Sequence, residues 1–220
     1  MQRELSDAYD VEKRLFYLQM EWDPYYREIV SAQEMTYQLY TAMSFGINGF
    51  VGYKYSAYWN QFSALEVNLK SYYGDTEFMW YTEQALNEVK KIDHIYLQFA
   101  DDWQGIMFFE GSENTMTTDR ANDHLEAGDA LPSYAGLKSL TATQDTLVGI
   151  MKDGDGRDGY MLTNQSCSLD RLTDRVRVEF HNASRAMLLD RGEVRTVDLN
   201  SGVLEADIAP GQGLFVIPLA

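Results

Sequence analysis

The sequence is poor in the residues that usually build disulfides and metal centres. Its 220 residues include one cysteine, Cys167, which cannot form an intramolecular disulfide. We interpret Cys167 as a small buried apolar residue rather than as a nucleophile. The three histidines, His94, His124 and His181, are far apart and lack the spacing of metal ligands, so we expect no metal site.

Cofactor signatures and positive charge are scarce too. The sequence has no phosphate-binding glycine loop and no Gly-x-Ser-x-Gly motif, so we expect no cofactor. Eighteen lysines and arginines stand against 34 aspartates and glutamates, which gives a formal net charge of -16. A field of that sign repels phosphate backbones and anionic lipids, so nucleic acid and membrane surfaces are poor partners. Neutral and cationic ligands are not excluded.

Long apolar runs are also missing. No stretch of about 18 apolar residues is present, so no membrane-spanning helix is expected. The charged start Met1–Asp7 lacks the apolar region of a signal peptide, which predicts a cytoplasmic location for the chain as given. Hydrophobic residues make up 45% of the chain, enough for the core of one large domain or two small ones.

Residues 1–100 are rich in aromatics and alternate strand and helix patterns. Phe16–Met20 is an apolar run typical of a buried strand, and Asp23-Pro24 ends it. A helix is predicted from Ser31, because Ser31 and Glu34 have the spacing of a capping box. Its apolar face holds Met35, Leu39, Ala42 and Met43, and Gly46 is placed to end it.

A second strand and a second helix follow. The aromatic run Gly49–Tyr55 predicts a strand, and Asp75 or Thr76 precedes a long helix. The order of strand, helix, strand, helix indicates a parallel α/β unit. The apolar stripe of the second helix is predicted to comprise Met79, Leu86, Val89, Ile92, Tyr96 and Phe99.

Residues 101–220 change to short β-rich runs separated by turn residues, which predicts an antiparallel sandwich. Within this half, Ser112–Ala135 is polar and is interpreted as a long loop. Asp153–Asp158 superficially resembles a calcium loop, which needs an oxygen ligand at position five and a glycine at position six. Arg157 and Asp158 stand at these positions, which favours a hairpin turn. Eight strands are expected, at Gly105–Phe109, Thr146–Met151, Tyr160–Thr163, Arg175–Phe180, Ala186–Leu189, Val194–Leu199, Val203–Ile208 and Gly213–Pro218.

Several strings resemble the C-terminal part of bacterial glycoside hydrolases, in which the end of a (β/α)₈ barrel is followed by a β-sandwich. In the first half these strings are Ser31–Met35, Ala42–Phe50 and Asn87–Ile92, the last within the helix Thr76–Phe99. In the second half they are Leu147–Gly149, Tyr160–Asn164, Val197–Leu199 and Pro210–Phe215. The resemblance implies a partial barrel at 1–100 and a C-terminal sandwich at 101–220.

The same resemblance implies a set of site residues. Retaining glycosidases use two carboxyl groups, and Glu21 stands where the nucleophile would follow a late barrel strand. Trp22 beside it could stack on a sugar ring. Substrate-binding residues would follow the second strand, namely Lys54, Tyr55, Tyr58, Trp59 and Asn60. The alternatives are a solvated loop carboxylate for Glu21 and simple loop packing for the others; Glu34 fits a capping role better than a second carboxylate.

A barrel needs eight βα units, and this sequence supplies about two. The acid that would partner Glu21 follows a strand that the chain lacks, so we expect no catalysis by the chain alone. The expected partner is carbohydrate, together with either the missing N-terminal barrel portion or a second copy in a homo-oligomer. The alternative is a non-catalytic module that binds carbohydrate or protein through its aromatic loops.

Overall fold

A computed structural model of the protein describes residues 14–19, 21–22, 32–53, 62–63, 77–112, 124–125, 129–166 and 172–220. The described chain is mostly antiparallel sheet with two helices. The predicted cap residues Ser31, Asp75 and Thr76 and the cysteine Cys167 lie outside the described residues. Neither of the two helices is both long and apolar enough to cross a membrane.

The first part contains the predicted strand, helix, strand, helix order. Strand β1 (Leu15–Gln19) and strand β3 (Gly49–Tyr53) pair in parallel, and helix α1 (Ala32–Ser44) connects them. Gly46 has a φ of 67°, the left-handed conformation expected of a glycine that ends a helix. Helix α2 spans Glu77–Ala100. Two short strands, β2 (Glu21–Trp22) and β4 (Phe62–Ser63), pair with each other.

The second part is the predicted antiparallel sandwich, and all eight expected strands are present. The strands are β5 (Asp102–Phe109), β6 (His124–Leu125), β7 (Leu137–Ala142), β8 (Thr146–Lys152), β9 (Asp158–Asn164), β10 (Asp174–Phe180), β11 (Arg185–Asp190), β12 (Glu193–Asp198), β13 (Val203–Ile208) and β14 (Gly213–Leu219). One sheet has three strands in the order β13–β10–β7, and the other has seven in the order β12–β11–β14–β9–β8–β5–β6.

The central strands β8, β9 and β14 of the seven-stranded sheet are largely buried on both faces, and their side chains alternate between two cores. In β14, Leu214 and Val216 join the core shared with the three-stranded sheet. Phe215 and Ile217 point the other way and pack with α1 and α2. The molecule therefore has three layers, in which the helices cover the sheet face that the sandwich leaves open.

The face of α1 was predicted correctly, because Met35, Leu39, Ala42 and Met43 are all buried. The stripe of α2 needs a correction at Leu86, while the side chain of Met79, its first predicted member, lies outside what the structure describes. Leu86 is 38% exposed, whereas Ala85 beside it is completely buried. The prediction was wrong at this position because apolarity alone favoured leucine, while the buried face of the helix runs through Ala85, Val89 and Ile92.

A close approach holds α1 against the sheet. A Cβ atom on Gly149 of β8 would lie 2.1 Å from the backbone oxygen of Ser44. That same oxygen accepts a hydrogen bond from Trp103 Nε1 at 3.0 Å, and the Ser44 hydroxyl lies 2.9 Å from the Thr163 hydroxyl. Glycine is required at position 149 because no side chain fits between the helix end and the strand.

Candidate functional site

The sequence predicts a site at the carboxyl edge of the parallel pair. The register runs from Leu15 opposite Gly49 to Gln19 opposite Tyr53, so the two strands end side by side. Active sites of parallel α/β folds are built at this edge, from residues that follow the strand ends. Glu21 comes two residues after the end of β1, and Lys54 directly follows β3. The register thus brings Gln19 and Tyr53, the last residues of the two strands, to one edge.

The short strands β2 and β4, which follow β1 and β3 along the chain, pair with each other. Glu21 pairs with Ser63 and Trp22 with Phe62. The chain therefore leaves the carboxyl edge after Tyr53 and returns to pair with β2. The intervening residues 54–61 include every predicted substrate-binding residue after the second strand, which are Lys54, Tyr55, Tyr58, Trp59 and Asn60.

Those five residues lie outside the described part of the chain, and for Glu21 and Trp22 only the backbone is described. Their roles accordingly stay predictions. Glu34, the other carboxylate that the sequence offers, lies on α1 and is 5% exposed. Its capping partner Ser31 is not described, so the capping interpretation also stays a prediction.

Arg14 holds the opposite, amino-terminal edge of the unit, and sequence reasoning missed it. The side chain is 6% exposed, and its Nε donates to the oxygen of Gly46 at 3.1 Å. Its Nη2 donates to the oxygen of Ala100 at 3.0 Å and to Asp101 Oδ1 at 2.9 Å. One cation thus satisfies carbonyl groups at the ends of both helices, where the helix dipoles favour positive charge.

A polar cleft opens between α1, α2 and two turns of the sandwich. Its volume is about 430 Å³, and most of its lining is polar or charged. The lining residues are Ala32, Gln33 and Thr36 of α1, Gln84, Ala85, Asn87, Glu88 and Lys91 of α2, and Arg191 and Gln212 of the turns.

Glu88 is the half-buried carboxyl of this cleft. The hydroxyl of Tyr40, a completely buried residue, donates to Glu88 Oε1 at 2.7 Å. Burial raises the pKa of Glu88, although hydrogen bonds from Tyr40 and Gln212 oppose that effect. Burial and the nearby Glu88 carboxylate both raise the pKa of Tyr40, so the tyrosine stays a donor. No feature of the sequence alone pairs these two residues, which are 48 positions apart.

Two buried polar side chains serve the sandwich rather than a site. Asp174 is fully buried and accepts from the backbone nitrogens of Thr143 and Gln144 and from the hydroxyl of Thr146. Burial raises its pKa against these hydrogen bonds. Asn164 donates to the oxygens of Leu172, Ile208 and Ala209. Both side chains fix loops by satisfying backbone groups that would otherwise be buried unpaired.

Within the described residues, no cluster of three or more histidine, cysteine, aspartate or glutamate side chains could hold a metal ion. Asp153 has a structural role in the hairpin between β8 and β9. Its Oδ1 accepts from the backbone nitrogens of Asp155 and Arg157, and its Oδ2 lies 2.6 Å from Arg157 Nε. The interpretation of Asp153–Asp158 as a hairpin turn is confirmed.

No known protein-family profile matches this sequence. A search of curated proteins likewise gives no match. Two solved structures are similar in fold. A protein from Bacteroides fragilis described as an α-galactosidase/melibiase has a TM-score of 0.43 and 12% identity, over 88% of this chain and 30% of that one.

The second structure is a glycoside hydrolase family 27 β-L-arabinopyranosidase from Geobacillus stearothermophilus. Its TM-score is 0.39 at 12% identity, over 86% of this chain and 31% of that one. This chain spans about a third of the length of each of these proteins. Similarity at this level says nothing about the activity of this chain.

Proposed function

We propose that this chain is the C-terminal piece of a glycoside hydrolase-like protein that acts on carbohydrate, and that it is not catalytically competent alone. The observation that supports this most is the parallel register of β1 and β3 around α1. Helix α2 then runs directly into the sandwich at Asp102. This order is the one expected where a barrel ends and a C-terminal β-sandwich begins.

In this proposal Glu21 is the nucleophile that follows the first of the two strands. A retaining glycosidase places its acid and its nucleophile about 5–5.5 Å apart, and here the acid comes from an earlier barrel strand. Trp22 and the segment 54–61 supply aromatic and amide groups for the sugar. Sugar rings offer apolar faces to aromatics, and their hydroxyls need fixed donors and acceptors.

The exposed apolar side chains of β1 support the idea that further elements cover this pair. Leu15 is 40% exposed and Tyr17 is 66% exposed, and within the described chain β1 pairs with β3 alone. Exposed apolar side chains on one face of a parallel pair are normally covered by further helices or strands. We expect either the remaining barrel units or a second copy of the chain to cover them.

Measuring the hydrolysis of aryl glycosides by the isolated chain tests whether it is catalytically inactive alone. We expect none, because general acid catalysis is commonly worth about 10²–10⁴ in rate and the acid is absent. Glu21→Gln is the informative variant, and Glu193→Gln on the exposed strand β12 is the matched control. Turnover that Glu21→Gln abolishes and Glu193→Gln retains would show that the chain is an enzyme by itself.

Two further measurements distinguish a second copy of the chain from the remaining barrel units as the partner. Sedimentation equilibrium at micromolar concentration detects a homo-oligomer, which Tyr17→Lys on the exposed face of β1 should dissociate. A stable wild-type monomer would exclude self-association through this face. The DNA upstream of the Met1 codon should encode further βα units, in frame or nearly so. Upstream sequence with no strand and helix alternation would contradict the proposal that the chain is a piece of a barrel.

A further inference from the structure

The polar cleft between the helices and the sandwich is a built cavity rather than a chance gap. Two glycines let the sandwich turns approach the helices. A Cβ atom on Gly192 would lie 2.8 Å from Lys91 Cδ, and one on Gly211 would lie 2.5 Å from the backbone oxygen of Gln33. Both glycines have positive φ angles, 78° and 67°, which other residues rarely adopt. The turns beside them therefore form fixed walls of the cleft.

The floor of the cleft is already organised. Tyr40 fixes one oxygen of Glu88, whose carboxylate can accept several more hydrogen bonds. The amide nitrogen of Gln212 lies 3.3 Å from the Thr36 hydroxyl, while its amide oxygen is buried with no hydrogen-bond partner within the described residues. A buried polar atom without a partner is uncommon in native proteins. The oxygen has almost no accessible surface, so the hydrogen-bonding groups that the cleft offers come from its other polar side chains.

The cleft carries side chains of both charges, and this limits the chemical class of ligand that it can bind. Glu88 shares the lining with Lys91, three residues further along α2, and with Arg191 of the turn. A cation would meet two positive side chains, and an anion would meet the Glu88 carboxylate on a chain of net charge -16. Hydroxyl groups both donate and accept, so they suit a lining that offers carboxylate, amide, ammonium and guanidinium groups together.

We propose that this cleft binds a small neutral polyhydroxylated molecule of about the size of one sugar ring. Glu88 accepts hydrogen bonds from its hydroxyls, and Lys91, Arg191 and the Asn87 amide donate to them. The volume of about 430 Å³ lies within the ordinary range of small-molecule sites. The ligand class follows from this lining and not from the predicted site at Glu21, so the proposal can hold even if the glycoside hydrolase proposal fails.

The test is a titration of isotope-labelled protein with D-glucose, D-galactose and myo-inositol, each to about 100 mM, followed by backbone amide chemical shifts. A single ring makes few contacts, so a dissociation constant in the millimolar range is expected. At least one probe should give saturable shifts at Glu88, Lys91 and Arg191. No saturable shift with any of the three would overturn the proposal, and so would a response to sodium sulfate alone.

Variants then show whether the shifts come from the cleft. Asn87→Trp places a bulky group in it from an exposed position on α2 and should abolish binding. Glu88→Gln should weaken binding about tenfold, because it removes a charged acceptor. Glu83→Gln, an exposed change on the same helix, should leave binding unchanged. Shifts that persist in a folded Asn87→Trp protein would contradict this location.

Discussion

The sandwich and the parallel α/β segment differ in how their strands find hydrogen-bonding partners. Strands β8 and β9 form a hairpin whose register runs from Thr146 opposite Asn164 to Lys152 opposite Asp158. Each of these strands finds its partner a few residues along the chain. In the α/β segment, by contrast, β1 must find β3 across a helix, and its side chains Leu15 and Tyr17 remain exposed. Other pairings in the sandwich are long-range, such as β14 with β9 and β5 with β8, but these strands lie in a sheet that packs into two cores.

The α/β segment is nevertheless held to the sandwich by a shared core. Phe99 and Tyr96 of α2 make edge-to-face contacts with Phe215 of β14, at ring-centre distances of 5.3 and 5.7 Å. The two regions therefore meet in one apolar core, to which α1, α2 and the seven-stranded sheet all contribute. Each of the following changes acts on one of these contacts or on a polar group beside them.

Replacing Arg14 should have the largest effect. Arg14→Met leaves the oxygens of Gly46 and Ala100 without their charged donor. We expect the free energy of unfolding to fall by about 3 kcal/mol, since hydrogen bonds to charged groups contribute about 1.5–3 kcal/mol each. Urea denaturation measures this, with Arg175→Met as the control. Arg175 is 77% exposed, so its ion pair with Asp207 should matter by less than about 0.5 kcal/mol.

The same variant tests the contrast between the two regions. Hydrogen exchange in Arg14→Met should rise in β1 and α1, while the hairpin β8–β9 keeps its protection. Equal loss of protection throughout both regions would show that they unfold as one unit.

Gly149→Ala should act at the junction itself. The added methyl group would collide with the backbone oxygen of Ser44, so the helix or the strand must move. Overpacking of this kind typically costs about 1–3 kcal/mol. Gly154→Ala is a matched control, because no atom lies within 4 Å of the corresponding Cβ position. Equal stability of the two variants by urea denaturation would contradict the close approach.

Tyr96→Phe should have a smaller effect. The Tyr96 hydroxyl lies 2.9 Å from the backbone oxygens of both Met43 and Ile47, at the end of α1. Removing the hydroxyl alone should lower the free energy of unfolding by about 1 kcal/mol. Thermal unfolding checks this against Tyr17→Phe, which changes a 66% exposed residue and should be close to neutral.

The smallest effect concerns Glu88 and pH. Its folded-state pKa is raised above the ordinary 4.5, chiefly by burial. The folded protein therefore favours the protonated form, and this contribution to stability is complete below pH 4.5 and disappears as the pH rises through the folded pKa. As the pH rises from 4.5 through the folded-state pKa, the free energy of unfolding of the wild type should fall relative to that of Glu88→Gln, as measured by urea denaturation at each pH. If the difference in unfolding free energy between the wild type and Glu88→Gln does not change with pH, or shifts in favour of the wild type as the pH rises, the pKa of Glu88 is not raised.

Much of the sandwich could be predicted because strand and turn signals alternate within a few residues. Strand β7, Leu137–Ala142, was missed because its buried positions, Leu137, Leu140 and Ala142, do not follow strict alternation. The pairing of β1 with β3 followed from the order of elements.

The contacts that join the two regions could not be predicted in this way. Arg14 binds the oxygens of Gly46 and Ala100, which lie 32 and 86 positions away, and a backbone oxygen carries no residue signature. The hydrogen bond between Tyr40 and Glu88 likewise exists only once the two helices pack together. For the predicted site, residue types suited to sugars could be read from the sequence, and the register adds that β1 and β3 end side by side at Gln19 and Tyr53.

The most direct measurement is complementation. The polypeptide encoded upstream of this chain would be mixed with it, and hydrolysis of a panel of aryl glycosides would be followed as the ratio of the two is varied. Our account predicts that activity appears only in the mixture, reaches its maximum at equal amounts, and is lost with Glu21→Gln but kept with Glu193→Gln. Absence of activity in a mixture that forms a stable complex, or activity that Glu21→Gln leaves intact, would contradict it.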